Sequence, residues 1–563
     1  MSQQNFSICE EQNFSICEEQ NFSICEEQNF SICEEQNFYI TSPIYYVNDI
    51  PHIGHAYTSL ACDVQARFRR LQGMNVRFLT GTDEHGQKVE KSALARGLQP
   101  QEFCDQVSLK FRELVQTLGL SHDDFIRTTE ERHKICAQEF WRRLEKRGFI
   151  YKDVYEGWYC VRDEAFYGED ELVDGKAPTG AEVTWHKEES YFFKLSAFQD
   201  KLLMLYEAAP DFVQPQSKMN EVLSFVRGGL RDLSISRTSF KWGIKVPTAD
   251  GSSDNGSHIM YVWLDALTNY LSALGFPDEK NPLYQNFWCN TELSPVHIVG
   301  KDILRFHAIY WPAFLMAADL PLPHSIFAHG WWTNQGQKIS KSVGNVIDPL
   351  QEIEWIETLG CSNQTAIDYF KYFLLREVPF GNDGDYSRDN LITRVNAELA
   401  NNIGNLVQRS LSMIYKNNNG EIVDISGFVE GQELLKNGYD LQEKLVQKMD
   451  KFAYDQAIGE IINFASMCNA FINDKAPWSL KKEGKILEMN LVLSTIAESL
   501  RIIMIALQPF LPCLTKQVID FLQIDQNLCM MKHIDKKYVL AVGHKISEPK
   551  IIFPRMNAVA HIV

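Results

Sequence analysis

Two imidazoles one helical turn apart, His52 and His55, with Gly54 between them, could donate hydrogen bonds to phosphate oxygens while a flat base lies against bare backbone. Far downstream, Lys338-Ile339-Ser340-Lys341-Ser342 places two ammonium groups and two hydroxyls between Gly336 and Gly344. That composition suits a mobile loop that closes over a triphosphate and neutralises charge on departing pyrophosphate. Taken singly, a helix histidine is usually a satisfied surface or core residue, and a lysine-serine loop is usually solvated surface. Together they describe an ATP site, with His52, Gly54 and His55 on one side and Lys338, Ser340 and Lys341 on the other.

The elements that must position these groups are legible around them. An apolar run from Phe38 to Ile40 breaks at Pro43, and a turn-rich segment leads to Pro51. A helical period follows at Ala56, Leu60, Val64, Phe68 and Leu71 before Gly73 stops it. Val76 to Thr80 reads as a second strand, so both histidines fall on the first turn of the helix in a βαβ unit, where free N–H groups favour anions. Gly81-Thr82-Asp83-Glu84-His85-Gly86 then lies at the carboxyl end of that strand, the edge where ligands bind in a doubly wound sheet. Asp83 is a candidate partner for a substrate ammonium group, the alternative being an exposed loop carboxylate.

The pattern predicts a Rossmann-like α/β domain with a doubly wound parallel sheet, followed by an α-helical bundle. Its segments are 37–150 for the first half of the catalytic domain, 151–240 for an aromatic-rich insertion, 241–330 for the second half, 331–390 for a connector and 391–563 for the helices. The sheet pattern is expected to resume over His258 to Ala266, and single helices over Asp302 to Met316 and Val395 to Tyr415. Residues 4–35 are four identical copies of Gln-Asn-Phe-Ser-Ile-Cys-Glu-Glu, with a decayed fifth copy running into the first strand. With two large apolar residues per copy, the 1–36 tail is expected to be disordered, against the alternative of a metal-binding or oligomerising tail through Cys9, Cys17, Cys25 and Cys33.

The net charge of −18 includes eight glutamates in this tail, so it argues little about nucleic acid. No apolar stretch of membrane-spanning length and no secretory signal are read, and thirteen cysteines without a CxxC pair suggest reduced thiols in a cytoplasm. The expectation is a cytoplasmic protein that engages no membrane.

His52 to His55 and Lys338 to Ser342 resemble the HIGH and KMSKS signatures of class I aminoacyl-tRNA synthetases, with Ile339 in place of Met. More closely, the chain from about Asn37 is similar to the bacterial methionyl-tRNA synthetase family. Thr41-Ser-Pro-Ile-Tyr-Tyr-Val-Asn, Gly81 to Gly86, Tyr261-Val-Trp-Leu-Asp-Ala266, Val299-Gly-Lys-Asp-Ile303 and Ala476-Pro-Trp478 carry the likeness. The resemblance implies activation of methionine by ATP, with Mg²⁺ bound by the nucleotide, and transfer of methionine to the terminal adenosine of tRNA(Met). It implies catalytic roles for His52, His55, Lys338 and Lys341. It also implies a methionine site from Ile44, Tyr46, Asp83, Arg237, Trp263, Ala266, Tyr270, Ile303 and His307, and anticodon readers Asn405, Arg409 and Trp478. Leu267 replaces a proline of some relatives.

Where many relatives carry a zinc knuckle, this chain has only Cys160, so no zinc is expected and aromatic packing should hold the insertion. A monomer is expected, since the extra C-terminal domain through which some relatives dimerise is not present. The insertion is too small for the editing domain of isoleucyl, valyl and leucyl enzymes. A catalytically silent RNA-binding protein is disfavoured by the intact signature pair, and a small-molecule nucleotidyltransferase would not need the helical bundle.

Overall fold

Phe38, Tyr39 and Ile40 are buried because their strand, Asn37–Thr41, runs through the middle of a parallel sheet. Strands covered by helices on both faces read as unbroken apolar runs. On one side Ile40 lies opposite Phe78 of Asn75–Asp83, and on the other opposite Val296 of Val296–Gly300. Ser325–His329 and the short Val213–Gln214 extend the sheet beyond Val296–Gly300. Asp124–Arg127 borders Asn75–Asp83 on its far side, and Tyr45–Tyr46 pairs with the end of that strand, Tyr46 opposite Asp83. Gly81 is required here, because a Cβ would lie 2.1 Å from the Ile126 carbonyl oxygen of the adjacent strand. The computed structural model describes residues 36–47, 50–161, 165–247, 258–334, 336–339 and 345–557; the repeat stretch 4–35, Ser340 and Lys341 lie outside them.

The insertion is built on a long antiparallel hairpin, Ile150–Cys160 with Thr184–Phe193, flanked by Ala165–Tyr167 and Leu233–Ser234. Its contacts are aromatic: Tyr151 stacks on Phe192 at 5.6 Å and Trp158 meets Trp185 edge-on at 5.2 Å. A small core of Cys160, Ala177 and Ala181, covered by Tyr167 and Val183, closes its tip.

Three expectations about secondary structure are corrected. Only Ile259–Met260 is a strand in the stretch His258 to Ala266, and it pairs with Ser236–Arg237 rather than with the central sheet; Val262–Leu267 is helical. Every residue of that helix is buried, so its sequence carries no period that separates helix from strand. The expected helix from Asp302 to Met316 is a tight turn at Lys301–Ile303, a wide π turn at Phe306–Tyr310 and an α-helix at Trp311–Ala318. Pro312 explains the widening: it has no N–H for the Ala308 carbonyl and its ring crowds that carbonyl, which instead accepts a hydrogen bond of 2.6 Å from the Tyr206 hydroxyl. Likewise Val395 to Tyr415 divides into a π segment, Asn396–Gly404, and an α-helix, Asn405–Asn417.

The C-terminal helices pack around Ile486–Leu507. This 22-residue helix is long and apolar enough to cross a membrane, contrary to the sequence expectation, yet 94% of its most apolar window is buried inside the protein. Glu498 and Arg501 sit within it as a buried pair at 2.7 Å, and Arg501 also donates to the His533 carbonyl. The bundle is joined to the helix Ile53–Leu71 by Tyr454, whose hydroxyl donates to the Ala61 carbonyl at 3.0 Å, and by Arg69 to Asp450 at 2.7 Å.

Candidate active site

His52 caps the helix Ile53–Leu71. Its Nδ1 accepts the Gly54 N–H at 3.1 Å, and the His52 N–H donates to His55 Nδ1 at 3.0 Å, a reciprocal capping box made from two imidazoles. Because each Nδ1 is an acceptor, each proton resides on Nε2, and both rings present that N–H as a neutral donor. Burial lowers His52 to about 4, with Asp302 offsetting part of the effect, and it holds His55 well below the usual imidazole range, aided by His52. The rings lie 3.9 Å apart, a spacing that two imidazolium ions would not tolerate. A Cβ on Gly54 would sit 2.9 Å from His52 Cε1, so the bare backbone makes room for the His52 ring itself.

The lysine loop is anchored at both ends. Lys338 belongs to the strand Gln337–Lys338, which pairs with Trp332–Asn334, and Thr333 lies opposite Lys338. Ile339 packs against the main hydrophobic core. Beyond the loop, the Ile347 carbonyl accepts the Ile53 N–H at 2.9 Å, so the chain leaving the second motif is bonded to the first residue of the helix that carries the first.

Around Trp263, on the helix Val262–Leu267, aromatic rings gather as the walls of a candidate chamber. Trp263 stacks on Phe306 at 3.7 Å with the planes 6° apart, and Tyr46 and His307 meet it edge-on at 6.2 and 6.0 Å. His307 Nδ1 donates to the Ile303 carbonyl at 3.0 Å, which leaves Nε2 to accept the Tyr270 hydroxyl at 2.7 Å. Burial brings His307 down to about 4, so this wall is uncharged. The Trp263 indole N–H is buried and has no partner among the described residues. Ala266 and Asp83 are buried, while Ile44 and Ile303 pack partly buried against the same core. Arg237 is also buried; its Nη1 donates to Ser234 and to the Ser236 carbonyl, and its guanidinium lies 4.7 Å from the Tyr261 ring centre.

Sequence reasoning missed Phe306 and His297. Phe306 was within reach, since Ile303, Phe306 and His307 follow helical spacing. His297, stacked under Tyr270 at 4.1 Å and bonded to Thr41, gave no signal beyond being a lone histidine in an apolar strand.

On the helical bundle Arg409 and Trp478 meet, the guanidinium 5.4 Å from the indole centre, and Asn405 lies one turn before Arg409 on the same helix. Arg409 donates to Asn473 Oδ1 at 2.8 Å and to Asn469 Oδ1 at 3.2 Å, and Trp478 is 37% exposed. Among the described residues no group of three or more His, Cys, Asp or Glu side chains could hold a metal ion.

The chain matches the family model described as tRNA synthetases class I (M) over residues 38–183 and 176–411, and that of the anticodon-binding domain of tRNA ligase over 432–548. It is 52% identical over 524 residues to the methionine–tRNA ligase of Rickettsia felis, covering 92% of this chain and 98% of that one. With the Brucella suis methionine–tRNA ligase it shares 46% identity over 523 residues, 92% and 97% of the two chains. Among solved structures, Mycobacterium tuberculosis methionyl-tRNA synthetase in complex with methionyl-adenylate superposes with a TM-score of 0.86 at 43% identity, over 92% of this chain and 100% of that one. The paired signatures, the helical bundle that follows and these matches lead to one conclusion: the chain belongs to the class I methionyl-tRNA synthetase family.

Proposed function

We propose that the chamber of Tyr46, Trp263, Ala266, Tyr270, Ile303 and His307 holds the methionine side chain, and that the cap of His52 and His55 holds ATP. The reaction is ligation of methionine to tRNA with ATP, through methionyl-adenylate. One observation carries the site reading: an uncharged aromatic chamber and two neutral N–H donors converge at the carboxyl edge of one sheet. A polarisable thioether suits such a wall, and methionine's unbranched length selects against shorter side chains. Asp83 with the Ile44 backbone takes the ammonium group and Arg237 the carboxylate, which orients that carboxylate for attack on the α-phosphorus.

His52 and His55 donate to phosphate oxygens without adding charge of their own. Lys338 and Lys341, with Ser340, close over the triphosphate, and Mg²⁺ arrives with the nucleotide and draws charge from its oxygens. Positive charge thus acts where pyrophosphate departs, while neutral donors steady the centre under attack. A hydroxyl of the terminal adenosine of tRNA(Met) then takes the methionyl group. On the bundle, Asn405 and Arg409 read anticodon edges and Trp478 offers a face for an unstacked base. Zinc has no part in this reading, and the protein acts as a cytoplasmic monomer that engages no membrane.

Methionine-dependent ATP–pyrophosphate exchange against a panel of amino acids, then charging of tRNA with a CAU anticodon, tests it. Selective response to another amino acid overturns the pocket assignment. Lys341→Ala is expected to slow exchange about 100-fold or more with little change in methionine binding; unchanged exchange would remove Lys341 from the catalytic set.

A further inference from the structure

The Asp265 carboxylate is fully buried and receives two imidazole N–H bonds, from His85 Nδ1 and from His133 Nε2, both at 2.7 Å. Asp265 lies on the helix Val262–Leu267, between Trp263 and Ala266. His85 stands two residues beyond Asp83, in the loop that ends the strand Asn75–Asp83. The other nitrogen of His133 meets Ser272 Oγ at 3.1 Å, two residues beyond Tyr270. One carboxylate therefore joins the ammonium end of the chamber to its aromatic end.

The surrounding loop is fixed as well. Glu84, also buried, accepts from Thr82 at 2.8 Å and Arg127 at 2.7 Å, and its carbonyl accepts the Trp242 indole N–H at 2.6 Å. Burial works against an ionised Asp265, yet His85 and His133 more than offset it and hold the carboxyl at about 2. A charge kept at that desolvation cost in place of a packed apolar side chain fixes geometry more than it adds stability.

We propose that Asp265 is a positioning residue for methionine binding, setting the Asp83 loop through His85 and the Trp263–Ala266 face through its own helix. The proposal rests on the reading of those residues as the methionine pocket.

The test is steady-state exchange with full-length protein. In Asp265→Asn the amide can accept one imidazole N–H but turns its own N–H towards the other, so one of the two ties is lost. The expected result is a KM for methionine raised about tenfold or more, with KM for ATP and kcat within about threefold. His85→Asn should raise the methionine KM by a similar factor, and the double variant no further, since both cut one link. A folded Asp265→Asn enzyme with unchanged methionine KM overturns the proposal. So does an equal loss in both KM values and kcat, or full multiplication of the two effects in the double variant. If Asp265→Asn does not fold, His85→Asn decides alone, and an unchanged methionine KM in it is fatal. Wild-type exchange that answers to a different amino acid would instead sink the pocket reading, independently of the variants.

Discussion

The histidines of the first motif are usually thought of as potential cations, but the capping box makes them neutral donors of fixed orientation. Each Nδ1 is committed to a backbone N–H, so each ring can act outward only through Nε2. Gly54→Ala should therefore disturb catalysis more than binding. A Cβ forces the His52 ring aside and breaks the box, and a fall of about 100-fold in exchange kcat with methionine KM within about twofold is expected from stopped-assay kinetics. In the chamber, Tyr270→Phe leaves the buried His307 Nε2 without its donor. An unmet buried acceptor costs about 1–3 kcal/mol, so methionine KM should rise about 5- to 100-fold while ATP KM stays constant. Wild-type methionine KM in that variant would remove Tyr270 from the pocket.

At the scale of elements, the wide turn at Phe306–Tyr310 determines where His307 and Phe306 point, and Pro312 and Tyr206 maintain it. Pro312→Ala restores an N–H that competes with Tyr206 for the Ala308 carbonyl and draws the turn towards α geometry. Methionine KM should then rise about tenfold with little change in thermal stability, and an unchanged KM would show that the turn does not set the wall. This element also marks the limit of what the sequence discloses. Strands such as Phe38–Ile40 and the period from Ala56 to Leu71 were legible because their burial is periodic or continuous. The helix Val262–Leu267 was not, because burial on all sides erases periodicity, and at Phe306–Tyr310 Pro312 marked a break but not the distant Tyr206 hydroxyl that takes the freed carbonyl. The two signature motifs were legible as chemistry, whereas the bond from Ile53 to Ile347, beyond the second motif, needed the fold. Asp265, His85 and His133 looked ordinary in the chain because nothing in it reveals a contact across 180 residues.

For the whole molecule, seven described histidines, His52, His55, His297, His307, His324, His329 and His533, are held below the usual imidazole range, in every case chiefly by burial. Unfolding frees each to bind a proton at its ordinary value of about 6.5. Between about pH 6.5 and 4 the unfolded chain therefore binds more protons, and stability falls as the medium is acidified. Asp368, Glu145 and Glu498 act in the opposite sense, since burial raises each of them, Asp368 to about 6, but they are three groups against seven. Scanning calorimetry should show the unfolding temperature dropping by more than about 5 °C from pH 7 to pH 5; a flat or rising profile would contradict the neutral, buried assignment. On the distal bundle, Trp478→Ala should lower tRNA charging kcat/KM about 10- to 100-fold and leave exchange unaltered, which separates RNA recognition from amino-acid activation.

The helix Ile486–Leu507 has a consequence for how the protein is made. As a nascent segment it carries the chemical look of a membrane anchor, and only prior occupants of its surroundings can give it a different fate. Of the helices packed on it, Asn405–Asn417, Val429–Tyr439 and Tyr454–Lys475 precede it in the chain and Pro512–Phe521 follows. With synthesis at about 5–20 residues per second, the preceding three have seconds to assemble a waiting groove before the apolar segment appears. Order of synthesis thus gives this apolar stretch most of its packing partners before it appears.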